Sequence, residues 1–126
     1  MPRKFNLEGA PAAPSYSHGV EVEASERMVF VSGQVGVKAD GSIADGIGEQ
    51  TKAAIANLNA VLAAAGMDAS DIVKTTIFLT DEGNFDGFAA AGGPLLPQPP
   101  AATTLVYVKA LASPSLLVEI EAVAAK

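Results

Sequence analysis

The clearest pattern in the chain lies at its end. From Leu116 to Ala124 apolar and acidic residues alternate, so a strand there turns Val118, Ile120 and Ala122 one way and Glu119 and Glu121 the other. A second run, Asp71 to Thr80, is β-branched through most of its length and fits a central strand. Val20 to Glu23 also alternates. Ser25-Glu26-Arg27 supplies a turn and Met28 to Ser32 an apolar return closed by Gly33, which together predict a hairpin. The period then changes: Ile47, Thr51, Ala54, Ile55, Leu58, Val61, Leu62 and Ala65 recur at steps of three and four. One long amphipathic helix follows from that spacing, with Asp45 at its N-cap and Gly66 just past its end.

Turn residues organise the rest. Residues 9–15, with Pro11 and Pro14, predict an extended lead-in, and Asp40-Gly41-Ser42 marks a loop or second hairpin between Val35 and Gly46. Phe85 to Ala91 leaves room for a short second helix that Gly92-Gly93-Pro94 stops, and the prolines from Leu95 to Pro100 dictate a loop. Thr103 to Leu111 and Leu116 to Ala124 are then two strands joined by a turn at Ser113-Pro114. The order β-β-(β)-α-β-α-β-β is that of an α+β two-layer domain, a mixed sheet with helices on one face. Its other face, carrying threonine, tyrosine and the two glutamates, is the one a partner would cover.

Composition adds the partner's identity. A single domain accounts for residues 1–126, and 49% hydrophobic against 17% charged residues leaves little charge to cover so small a monomer, which favours self-association. The net charge of −6 repels phosphate backbones, so no nucleic-acid partner is expected. With no cysteine and His18 as the only histidine, a thiolate or histidine-cluster metal site within one subunit is excluded. The start of the chain lacks the apolar run of a signal peptide, and no stretch approaches the roughly 18 apolar residues of a membrane span. No membrane association and a cytoplasmic location are expected.

Ser32-Gly33-Gln34, the helix Gln50 to Gly66, Asp71-Ile72-Val73-Lys74-Thr75-Thr76 and Val118-Glu119-Ile120-Glu121-Ala122-Val123 together resemble the RidA family, also called YjgF or L-PSP, from about Ala13 to Ala124. The resemblance implies a chorismate-mutase-like fold of the bacillus type, with three subunits packing their sheets into a central barrel. Ligand clefts then lie between neighbours in the homotrimer. It also implies hydrolysis of enamines and imines such as 2-aminoacrylate and 2-iminobutanoate to 2-keto acids, without a cofactor. Such chemistry needs a cation for the substrate carboxylate, a polar group to place water and a pocket for the planar imine.

The resemblance assigns the water to Glu119 and ligand contacts to Tyr16, Ser32, Gly33 and Thr103. Glu121 is read as a contact or surface group, and His18 as a surface or interface histidine. The family's cation is an arginine in a Pro-Ala-Arg-Ser/Thr motif, and this chain reads Pro100-Ala101-Ala102-Thr103-Thr104. Counting back from the last strand puts Thr103 at the arginine's place; matching the threonines to the motif puts Ala102 there. Lys109 is the nearest cation by sequence. The expectation is a small-metabolite binder with weak or altered imine hydrolase activity. The alternatives are a non-catalytic sensor or scaffold, and a true deaminase with a substitute carboxylate anchor.

Overall fold

The alternating C-terminal strand is an inner strand of the sheet. The computed structural model describes residues 2–11, 15–24 and 26–126. Its elements are β1 (Arg3–Phe5), β2 (Gly19–Glu21), β3 (Met28–Val35), α1 (Gly46–Ala64), β4 (Ile72–Leu79), α2 (Phe85–Gly92), β5 (Ala102–Tyr107) and β6 (Val118–Ala125). The main sheet runs β3-β6-β4-β5, with β6 antiparallel to both neighbours and β5 parallel to β4. Both helices therefore serve parallel crossovers, and β6 fills the gap that the first crossover leaves between β3 and β4.

Burial follows the alternation. Val118, Ile120, Ala122 and Ala124 of β6 pack with Ile77 and Leu79 of β4 against Ala54, Ile55, Leu58 and Leu62 of α1. Val61, included in the predicted stripe, is 37% exposed, so the buried face of α1 is narrower than its apolar spacing suggests. Asp45 is the N-cap of α1 without a side-chain cap bond, and Gly66 follows its last turn at φ +73°, a conformation that favours glycine. A buried amide locks the helix start onto the strands. Gln50 donates from Nε2 to the carbonyls of Ala44 and Ser115 and accepts at Oε1 from the Leu117 N–H.

Three expectations are corrected. β2 does not form a hairpin with β3; it pairs antiparallel with β1, Arg3 opposite Glu21, in a separate two-stranded sheet. The N-terminal residues hold the missing partner. Arg3 Nε lies 3.0 Å from Glu21, and the Leu7 N–H donates to His18 Nδ1, which gives His18 a structural role. Ser25 of the predicted turn lies outside the described residues, as does Pro14 of the lead-in. Second, β5 ends at Tyr107, because β4, the strand it pairs with, ends at Leu79; Lys109 is beyond the sheet. Third, Asp71 belongs to a short 3-10 turn before β4, where it and Asp68 form a reciprocal capping box.

Candidate functional site

Register divides the predicted site residues between the two faces of the sheet. On β3, the three steps from Val31 to Gln34 are matched by two on β6, from Ala122 to Ile120, so an extra residue bulges at Ser32-Gly33. Gly33 there faces Glu119. A Cβ on Gly33 would fall 1.7 Å from Glu119 Oε2, so only glycine lets the carboxylate lie against the main chain. Ser32, Gly33 and Glu119 thus form one corner on the open face, the face without helices.

Thr103 looks the other way. Its hydroxyl sits 2.9 Å from that of Thr75 and 3.1 Å from the Ala101 carbonyl; because a hydroxyl has one proton, Thr75 donates to Thr103 and Thr103 to the carbonyl. Tyr16 and Thr103 share a cavity of about 490 Å³ walled by Phe85, Phe88, Leu96 and Leu105. Tyr16 is held near β5 by its neighbour Ser17, whose N–H donates to the Ala101 carbonyl.

On β5 the residues that share the open face with Glu119 are Ala102, Thr104 and Val106. Ala102 pairs with Lys74 of β4, and Lys74 Nζ donates to Thr104 Oγ1 at 2.7 Å. The two registers open from sequence differ in face: Ala102 lies on Glu119's side of the sheet and Thr103 on the helix side. Arg3 is engaged with Glu21, and Arg27 donates to the Ala65 carbonyl. Glu121 and Thr76 lie opposite one another on the open face, between the two corners. Among the described residues, no three metal-ligating side chains converge and no helix is long and apolar enough to cross a membrane.

The profile of the Endoribonuclease L-PSP family matches residues 7–126. The chain belongs to the RidA/YjgF/L-PSP family. It is 40% identical to Protein DfrA of Myxococcus xanthus over 98% of this chain and 96% of that one. It is also 40% identical to the 2-iminobutanoate/2-iminopropanoate deaminase of Mus musculus, over 60% of this chain and 56% of that protein. Among solved structures, the Rid-family protein YyfB of Yersinia pestis, described as of unknown function, superposes with a TM-score of 0.86 at 34% identity, covering 99% of this chain and 98% of that one. The two-layer α+β architecture is therefore that of the Rid family.

One cation of this face enters the sequence analysis only as part of the run Asp71 to Thr76. Lys74 stands inside a β-branched run, 28 positions before Ala102, and only the parallel register of β4 and β5 brings the two together. The signal available was parity, since Lys74 and Thr76 alternate with the buried Thr75 and Ile77.

Proposed function

We propose that this protein binds a small metabolite in clefts between the subunits of a homotrimer, with weak or altered hydrolysis of enamines and imines. The observation that carries the reading is the separation of the two corners. Glu119 pairs with Phe78 and Ala102 with Lys74, on opposite sides of β4. Four residues of strand separate Phe78 from Lys74, about 13 Å at roughly 3.3 Å per residue. A small imine cannot touch both corners of one chain. A neighbouring copy that brings its Ser32-Gly33-Glu119 corner to the Ala102 corner closes a cleft, and the exposed Met28 and Phe30 on the open face supply the reason to associate.

In that cleft Glu119 orients the attacking water. Ala102 leaves the carboxylate without a bidentate clamp, at a cost of roughly 3 to 6 kcal/mol if both charge-assisted hydrogen bonds act in the transition state. Turnover of 2-iminobutanoate by the purified protein is accordingly expected to be slow, and Ala102→Arg should raise it at least about tenfold. An unchanged rate in that variant, or fast wild-type turnover, would overturn the reading of the missing arginine. The lack of a guanidinium also favours a second reading, a sensor or scaffold using the same clefts. No turnover in either protein, together with ligand-induced thermal stabilisation, is its signature.

A further inference from the structure

We infer that Lys74, with Thr104, is the anion-binding pair of this protein, and that the pair takes a small carboxylate over Ala102. The inference rests on the cleft proposed above and names the group that holds the ligand there.

The ammonium of Lys74 is placed by the sheet. Thr75 is buried on the helix face, so its neighbour Lys74 projects to the open face, next to the cross-strand Ala102. Its Nζ has three N–H donors, and one is spent on Thr104 Oγ1. Accepting that bond commits an oxygen lone pair and leaves the threonine's own proton free to donate. The pair therefore keeps three donors, two N–H and one O–H, beside Ala102, whose side chain is a single methyl. An anion with two oxygens satisfies them.

Among the described residues, no ion pair neutralises that charge. The ion pairs among the described residues join Arg3 to Glu21 and Lys52 to Glu49, not Lys74. Glu121, opposite Thr76, is the nearest carboxylate by register, one diagonal step away, and makes no ion pair with Lys74. Lys74 is half-buried on an open face of mixed character, and no ion pair among the described residues joins it to a carboxylate. Covering that face with another subunit strengthens its pull on a ligand anion, because charges interact more strongly away from water. A lysine is a compact point charge on a flexible stem, whereas arginine is a rigid fork. The site therefore selects for the presence of a carboxylate more than for its orientation.

The test is calorimetric titration of the full-length protein with 2-oxobutanoate, a stable planar 2-keto acid, and with its neutral amide. Lys74→Met should weaken 2-oxobutanoate binding about tenfold or more, Lys74→Arg should restore most of it, and Thr104→Val should weaken it by a few-fold. The neutral amide should bind wild type and Lys74→Met alike. Rescue by the arginine variant and the amide comparison distinguish an anion site from a merely structural lysine. If the wild type binds 2-oxobutanoate and Lys74→Met binds it equally well, the assignment of Lys74 fails while the cleft reading stands. If the wild type binds no keto acid, both fail.

Discussion

At the scale of single residues, Glu119 depends on what Gly33 lacks. Its carboxylate occupies the position a Cβ on Gly33 would take, with Oε2 1.7 Å and Cδ 2.6 Å from that point. The atoms met are the far end of a flexible side chain, so Gly33→Ala should displace Glu119 without breaking the bulge. The expected outcome is loss of most ligand-dependent activity, comparable to Glu119→Gln, with the urea midpoint shifted by less than about 1 kcal/mol of stability. A folded Gly33→Ala protein with undiminished activity would show that the contact does not position the carboxylate. In sequence, the family resemblance singled out Glu119 and Gly33, and alternation along the last strand gave only the side to which Glu119 turns. Lys74 was not singled out, since its proposed role depends on a cross-strand neighbour far away in the chain. Lys109 drew attention only through sequence proximity, which a sheet does not respect.

At the scale of elements, the start of α1 is held by polar bonds as well as by its apolar stripe. Gln50 is buried and serves three main-chain groups, the carbonyls of Ala44 and Ser115 and the N–H of Leu117. Gln50→Ala leaves these buried and partly buried groups without that partner and should cost about 2 to 4 kcal/mol, read as a lowered denaturant midpoint with unchanged m-value. A loss below about 1 kcal/mol would mean that water reaches these groups. Leu117 immediately precedes β6, so the clamp also fixes where Glu119 begins its run on the open face. Helix α1 itself was legible, since a period of 3.6 is a local property that needs no partner. Strand order was not: β6 is last in the chain yet inserts between β3 and β4, and alternation says which way side chains point but not which strands are neighbours. The same gap explains the mistaken hairpin. Val20 to Glu23 was read as a strand, and its partner lay upstream at Arg3–Phe5.

At the scale of the whole molecule, the proposed assembly rests on the open face. Phe30 is 74% exposed on β3, opposite Val123, and Met28 beside it is 47% exposed. A phenylalanine left in water on the flank of a sheet is stabilised by roughly 1.5 to 3 kcal/mol when another copy covers it. In a symmetric trimer that gain recurs in every subunit. The wild type, with a 12.7 kDa chain, should therefore sediment as a trimer at micromolar concentration. Phe30→Asp removes the apolar gain and adds a charge that would have to be buried unpaired, so it should release folded monomers. Far-UV circular dichroism should stay native, because Phe30 makes no part of the α1 core. Ligand binding should vanish with the trimer, since one chain keeps the Ser32-Gly33-Glu119 corner and the Lys74-Thr104 pair too far apart for one small molecule. A monomeric variant that still binds 2-oxobutanoate at wild-type affinity would show that a single subunit holds a complete site, and would sink the intersubunit cleft.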